Sequence, residues 1–455
     1  MENSTIAAIS TAQGNAGISV IRVSGDKAVE ICNKIFVPYG KKYLSDLAGY
    51  SCAYGKIVSN GEKIDECVAT VFLAPHSYTG ENVVELSCHG GLVVTKQVLR
   101  VVIDNGARLA DAGEFTKRAF LNGKLDLTQA EAVMDIISAK SNNALKAANK
   151  AKEGVLSKKI SGIREELLIQ AGHLSAWADY PEEDIPEIDN KVLSEKLTNI
   201  KADLQTLIGN YDSGQAIKSG IDTVIVGKPN VGKSTLMNLI SGYEKSIVTD
   251  IAGTTRDVVE ETVTVGNVIL NLSDTAGIHE ADNEVEKIGV DKAKSKLYNA
   301  MLILAVFDMG EAFSNEDKEI LENIGDTPFV AIINKSDLEP KLDTEKIRKY
   351  TDNIVFMSAK NDEGTEELTK LIEKIYNTTD FDYSSGVLFN ERQLSLAKSA
   401  LQSVEEAISA LKNNITLDAV TVTIEDAISY LLELTGERAT EKVVDKVFHN
   451  FCVGK

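Results

Sequence analysis

Apolar positions along this 455-residue chain fall into successive textures. Over residues 1–118, short β-rich runs such as Ile18-Ser19-Val20-Ile21-Arg22-Val23 and Cys67-Val68-Ala69-Thr70-Val71-Phe72-Leu73 alternate with turn signals. A helical stretch near Leu92 to Ile103 interrupts them, which predicts a compact α+β domain. From 119 to 217 the pattern turns helical. Leu193, Leu197, Ile200, Leu204 and Leu207 recur at spacings of four, three, four and three, which draws one apolar stripe along an amphipathic helix. The acidic, proline-bearing Tyr180-Pro181-Glu182-Glu183-Asp184-Ile185-Pro186 reads as a solvated loop between two helices. Residues 218–380 alternate strand and helix, the sign of a doubly wound parallel sheet. Leu394, Ala397, Leu401, Val404, Ile408 and Leu411 then restore the helical stripe over 381–455.

Neither helical segment carries enough apolar positions to close a core alone. The expected architecture is therefore an N-terminal α+β domain (1–118) and a helical domain built from two segments (119–217 and 381–455). A P-loop domain of the α/β class (218–380) is inserted between those segments. No internal repeat or low-complexity tract interrupts this plan.

Composition changes the picture in two places. Five scattered cysteines, Cys32, Cys52, Cys67, Cys88 and Cys452, include no Cys-x-x-Cys pair, so neither a disulfide framework nor a structural zinc site is supported. Free thiols, a start without a basic n-region and the lack of a membrane-length apolar run predict a soluble cytoplasmic protein. The formal net charge is −20. A protein that grips nucleic acid through its phosphates normally displays a basic surface, so any such grip is expected to fall to a partner.

The chemistry concentrates in Gly227-Lys228-Pro229-Asn230-Val231-Gly232-Lys233-Ser234, which fits the phosphate-cradling pattern Gly, four residues, Gly-Lys-Ser/Thr. The run Thr223-Val224-Ile225-Val226 before it reads as a buried strand, and Thr235-Leu236-Met237-Asn238-Leu239-Ile240 after it reads as a helix start. At such a turn, glycines let backbone N–H groups close around phosphate oxygens, and the helix N-terminus adds positive potential. Lys233 would reach the terminal phosphates and Ser234 would ligate Mg²⁺.

Three further segments follow in order. The strand Ile269-Leu270-Asn271-Leu272-Ser273 ends in Asp274-Thr275-Ala276-Gly277, where an Asp can hold the Mg²⁺ shell and the Gly N–H can sense the γ-phosphate. Phe329-Val330-Ala331-Ile332-Ile333 leads into Asn334-Lys335-Ser336-Asp337, which resembles the guanine-recognition motif of GTPases. There a carboxylate such as Asp337 pairs with guanine's ring N–H and amino group, a donor pair that adenine lacks. Ser358-Ala359-Lys360 follows the strand Ile354-Val355-Phe356-Met357 and matches the third base-contacting loop. Four segments in this order predict a GTPase domain.

Ile278 stands where Ras-like enzymes keep a water-orienting Gln, so another group must place the water. Arg256 lies in a plausible switch loop, but no arginine finger stands out. Asn230 beside the phosphates fits a loop-stabilising hydrogen bond and a monovalent-cation ligand equally well. The loop Thr249-Asp250-Ile251-Ala252-Gly253-Thr254-Thr255-Arg256-Asp257 would complete the second arrangement.

That switch phrase, Asn230 and Ile278 together resemble the potassium-dependent GTPases of the translation-factor-like class. The remaining signatures narrow the resemblance to the tRNA-modifying MnmE (TrmE) family, over the whole chain. They are Ser77-Tyr78-Thr79-Gly80-Glu81-Asn82-Val83-Val84-Glu85, His89-Gly90-Gly91, the segment Gly113 to Leu127, and Cys452-Val453-Gly454-Lys455 at the end of the sequence. Two departures, Thr11-Ala12-Gln13-Gly14 and Ala112, replace prolines common in relatives and remove no functional group.

The resemblance implies the following roles. GTP would be contacted by Asn230, Val231, Gly232, Lys233, Ser234 and Thr235, and by Thr249, Asp250, Ile251, Ala252, Gly253, Thr254 and Thr255. Asp274, Thr275, Ala276, Gly277, Asn334, Lys335, Ser336, Asp337, Ser358, Ala359 and Lys360 would complete its site. Mg²⁺ would be held by Ser234 and Thr255, and K⁺ by Asn230, Thr249, Ile251 and Thr254. Lys233 and Glu286 would be catalytic, Glu286 polarising the attacking water through a bridging water. Arg22, Glu81, Lys124 and Lys455 would bind a 5-formyltetrahydrofolate-type one-carbon donor; a carboxylate suits the pterin's amino-pyrimidine face and cations suit the glutamate tail. The family arrangement is a homodimer that works with a flavin-dependent partner, MnmG (GidA), on C5 of the wobble uridine of certain tRNAs. The alternative is a ribosome-assembly or regulatory GTPase switch. No Gly-x-x-Gly loop with flanking basic residues, which an RNA-binding KH module needs, follows residue 380.

Overall fold

The computed structural model describes residues 4–179, 189–242, 261–266, 268–274, 300–379, 381–449 and 451–455. The loop at 180–186, the switch phrase at 249–257, Ile278 and Glu286 lie outside the described residues. The chain divides into two compact units, Met1–Met134 with Ile428–Lys455, and Asp135–Ala427.

The first unit is built on a seven-stranded sheet: β1 (Ile6–Ile9), β2 (Ala16–Ser24), β3 (Phe36–Pro38), β4 (Ser51–Ser59), β5 (Glu62–Phe72), β6 (Val83–Gly90) and β7 (Arg108–Leu109), in the order β3-β4-β5-β6-β2-β1-β7. All neighbours are antiparallel except β1 and β7. The period-2 pattern decides which face is dry. Ile21 and Val23 of β2 point into a core with Ala69, Leu86 and the helices Ala28–Ile35 and Leu92–Asp104, whereas Arg22 points to the opposite face. Asn60 (φ 49°) and Gly61 (φ 83°) join β4 to β5, the positive-φ pair that a two-residue hairpin turn requires.

The distant C-terminal segment completes this unit. Val444, Phe448 and Phe451 pack with Leu127, Ala130 and Val133, and Val453 bridges Ala112. Gly113 sits at φ 67°, where an added Cβ would lie 2.7 Å from the Phe448 carbonyl oxygen, so only glycine allows this approach.

In the second unit, the helices Asn190–Gly209 and Glu391–Lys412 pack side by side, with Lys201 and Glu405 paired at 2.8 Å. Leu193, Leu197, Ile200, Leu204 and Leu207 are all buried, as their spacing predicts; on the second helix Leu401 alone of the six stripe positions stays half-exposed. A six-stranded sheet follows: β8 (Ile221–Val226), β9 (Glu261–Val265), β10 (Val268–Asp274), β11 (Leu302–Asp308), β12 (Phe329–Asn334) and β13 (Ile354–Phe356), in the order β13-β12-β11-β8-β10-β9. Leu302, Leu304 and Val306 face Leu236, Ile240, Leu368 and Ile372, while Ile303, Ala305 and Phe307 face Leu321, Ile324 and Ile347. Both sides of β11 are therefore covered, as a parallel sheet demands.

One strand departs from the expected parallel pairing: β9 runs antiparallel to β10. The chain leaves β9 at Val265 and enters β10 at Val268, far too short a span for the crossover a parallel pair needs. Among the described residues no helix is long and apolar enough to cross a membrane.

Candidate nucleotide site and a second charged site

The loop from Gly227 leaves the carboxyl end of β8 and enters the helix Lys233–Ser241. Gly227 (φ 153°) approaches Val306, where an added Cβ would stand 2.5 Å from its carbonyl oxygen. Gly232 (φ 99°) lies against the Asn334 amide so closely that a Cβ would collide with it. Asn230 also takes the left-handed conformation, at φ 63°, which asparagine tolerates better than most residues. Ser234 and Thr235 are exposed in the first helical turn, and Val231 is buried. Lys233 donates from Nζ to the carbonyl oxygens of Gly227 (2.8 Å) and Lys228 (2.7 Å), so its ammonium lies within the loop.

The guanine-type segments converge on this loop. Asn334 is buried at the end of β12; its Nδ2 donates to the Val231 carbonyl at 2.8 Å, and its Oδ1 accepts from the Ala359 N–H at 3.0 Å. Lys335 (φ 58°) donates to the Asn230 carbonyl at 2.9 Å and pairs with Asp308 at 2.5 Å. Ser336 N–H donates to the Met357 carbonyl at 3.0 Å. Ser358 is buried, and its hydroxyl donates to Asp337 Oδ1 at 2.7 Å. That hydrogen bond first, then Asp337's own backbone N–H and the nearby Lys360 and Lys335, hold the exposed Asp337 carboxyl below its ordinary range. Asp274 ends β10, beside β8. Thr275, Ala276 and Gly277, together with Thr249, Asp250, Ile251, Ala252, Gly253, Thr254, Thr255 and Glu286, fall outside the described residues.

Two anchoring groups of this site carry no motif signal. Asp308, at the end of β11, accepts from Gly310 N–H at 2.8 Å while it holds Lys335. Lys228 reaches Asp317 at 2.9 Å and Glu311 and Ser314 at 3.3 Å each. Burial pushes Lys228 down, but the Asp317 and Glu311 carboxylates outweigh it and hold the ammonium above its ordinary value.

The predicted folate residues lie in the first unit. Arg22 donates to Glu85 at 2.8 Å and to the Gly454 carbonyl at 3.3 Å, and its guanidinium lies 5.4 Å and 5.6 Å from the Tyr78 and Phe115 ring centres. Lys455 therefore follows directly on a residue held by Arg22. The same Gly454 carbonyl accepts from Ser10 at 3.0 Å. Ser24, two residues along β2 and so on the Arg22 face, donates to Glu81 at 2.7 Å. Arg118 grips both Glu81 oxygens, at 3.0 and 3.1 Å, and also Glu114 at 3.0 Å. Burial works to raise Glu114, but Arg108, the Asp111 N–H and Arg118 together hold it below its ordinary value. Lys124 donates to the Pro75 carbonyl at 3.2 Å and borders a cavity of about 670 Å³ lined by Phe120, Leu125, Gln129 and Asp445. Arg118 belongs to the Gly113–Leu127 signature, yet its grip on Glu81 was not legible from spacing. All five cysteines are free; Cys32, Cys67 and Cys88 are buried, and burial pushes the Cys67 thiol up to about 12.

A strand-loop-helix phosphate cradle knitted to a guanine-type loop, on a sheet covered on both faces, defines a P-loop GTPase. Residues 5–124 match the family model described as the GTP-binding protein TrmE N-terminus, and residues 127–452 match that of the MnmE helical domain. The chain is 44% identical to the tRNA modification GTPase MnmE of Clostridioides difficile, over 99% of both chains. It is 42% identical to that of Acetivibrio thermocellus, over 99% of each, and 40% identical to that of Bacillus subtilis, over 99% of this chain and 100% of that one. The chain belongs to the MnmE (TrmE) family of tRNA modification GTPases.

Proposed function

We propose that this GTP hydrolase is potassium-dependent and works with a flavin-dependent partner to modify C5 of the wobble uridine of certain tRNAs, drawing one carbon from a 5-formyltetrahydrofolate-type donor. The observation that carries the nucleotide part is the double hydrogen bond of Asn334, which ties the phosphate loop at Val231 to the base loop at Ala359. Base and phosphates are then read by one rigid unit. The fold reading that goes with it is a P-loop domain over 218–380 inserted between helical segments 119–217 and 381–455, after an N-terminal domain over 1–118.

In this reading the loop N–H groups and Lys233 neutralise the phosphates, and Asp337 selects guanine. Ser234, exposed on the first helical turn, offers a hydroxyl of the kind Mg²⁺ takes, with Thr255 as its second ligand. Asn230, with Thr249, Ile251 and Thr254, would hold K⁺, whose charge would supply what an arginine finger gives elsewhere. Glu286 would orient water, because Ile278 cannot.

The Arg22 face supports the folate part. A cation and a carboxylate, Arg22 and Glu81, flank Ser24 on one side of the sheet, beside the segment that carries Lys455. That donor set fits a folate, whose pterin takes a carboxylate and whose tail takes cations. A homodimer in the cytoplasm completes the reading. With a net charge of −20, most of the tRNA contact would fall to the partner.

Nucleoside mass spectrometry of tRNA from cells lacking this protein tests the whole. Loss of a C5-substituted wobble uridine supports it, and unchanged wobble uridines would favour a regulatory switch.

A further inference from the structure

We propose that Lys228, one of the four positions that the phosphate-loop pattern leaves unspecified, is a positioning residue for GTP hydrolysis: through Asp317 it fixes the main chain of the loop against the buried cap of a neighbouring helix. Asp317 is 1% exposed and lies in the first turn of the helix Asn315–Asn323. It closes a capping box with Ser314, accepting from the Ser314 N–H and hydroxyl at 2.8 Å each. These are hydrogen bonds the helix needs in any case. The ammonium of Lys228, 2.9 Å away, adds the countercharge that a carboxylate so deeply buried requires.

Glu311 also reaches the ammonium, at 3.3 Å. Lys228 thus meets two carboxylates and a hydroxyl from the segment that follows β11, while its stem leaves only 12% of the side chain exposed. A group held this way does not act as a surface charge.

The backbone of the same residue is tied to the motif lysine. Its carbonyl oxygen accepts from Lys233 Nζ at 2.7 Å. The side chain therefore anchors, and the main chain holds the motif lysine. Gly227 before it and Pro229 after it contribute no side chain that could substitute: one has none, and the other is exposed. Loss of the Lys228 charge would leave Asp317 buried with its cap alone and free the loop to shift. A shift of that kind weakens cradle contacts made in ground and transition states alike, and so raises KM more than it lowers kcat.

The test is steady-state GTP hydrolysis by the full chain carrying Lys228→Met, Lys228→Arg or Asp317→Asn, with thermal unfolding of the nucleotide-free protein alongside. KM does not depend on how much of the protein is folded, so a merely structural role would lower the unfolding temperature and leave KM unmoved. Lys228→Met is expected to raise KM about tenfold, with kcat falling less than about threefold. Lys228→Arg, which can reach the same carboxylates, should return KM to within about twofold of the original chain. Asp317→Asn keeps an acceptor for the cap but removes the charge, and it should raise KM as well. Should Lys228→Met fail to fold, Asp317→Asn decides. A KM within about twofold of the original in the decisive variant, or Lys228→Arg as impaired as Lys228→Met, overturns the proposal.

Discussion

Asn334 Nδ2 and the Val231 carbonyl oxygen stand 2.8 Å apart, both buried, and so join two loops 103 residues apart in sequence. Replacing Asn334 by Ala strands that carbonyl and the Ala359 N–H together. An unpaired buried group costs about 1–3 kcal/mol, so Asn334→Ala should lower the stability of this unit by at least that order. It should also weaken GDP binding about tenfold or more, read by thermal unfolding and by fluorescent-nucleotide titration. Binding at the original affinity would refute the knitting role.

Gly232 is set against that same amide. At φ 99° with a forced overlap between a Cβ and Asn334 Nδ2, Gly232→Ala meets two separate obstacles. Nucleotide binding should be lost or severely weakened, while Gly162→Ala, in open helical space, should leave it unchanged. Equilibrium dialysis with labelled GTP reads both.

Asp337 supplies a pH dependence with a definite sign. Its carboxyl lies below the ordinary value, chiefly through the Ser358 hydroxyl, so its ionised form is favoured in the fold. The contribution is complete above the ordinary carboxylate value and is lost as pH falls through the lower folded value. Ser358→Ala should move that loss toward higher pH. Guanine affinity of the variant, titrated from neutral to acid pH, should begin to fall earlier than in the original chain; coincident curves would contradict the assignment.

The cation reading of Asn230 predicts faster GTP hydrolysis in K⁺ than in Na⁺ at equal ionic strength. Equal rates in the two salts would remove the basis for a K⁺ site at Asn230.

Glu286→Ala should spare GTP binding and slow hydrolysis by about 10²–10⁴-fold, the range of a lost general-base contribution. Single-turnover rates with prebound GTP isolate that step, and an unchanged rate would return the water to another group.

Local signals are legible in the sequence as placements at strand ends. The P-loop, Asn334 to Asp337 and Ser358 to Lys360 follow strand ends, where a motif and its apolar run lie within a few residues of each other. The stripe from Leu193 to Leu207 likewise reports its own buried face. What sequence could not supply are the partners fixed by topology. Lys228 meets Asp317 only because β11 lies beside β8 in the sheet, and Arg118 meets Glu81 only because the helix Glu114–Leu121 lies against the loop that leads into β6. Such pairs leave no periodicity. The antiparallel β9 escaped for a different reason, since a short apolar run does not declare its direction.

The closure of the first unit by residues 428–455 imposes an order on its birth. A ribosome releases Arg22 and Ser10 early, yet the Gly454 carbonyl that both grasp emerges only after the intervening unit Asp135–Ala427 has been made. At roughly 5–20 residues per second, synthesis of that stretch holds the first unit incomplete for a period on the order of 15–60 s. The second unit can fold during that wait, whereas the charged face around Arg22 is assembled last. A nascent chain halted before residue 428 would therefore carry a finished phosphate loop and an unfinished first unit.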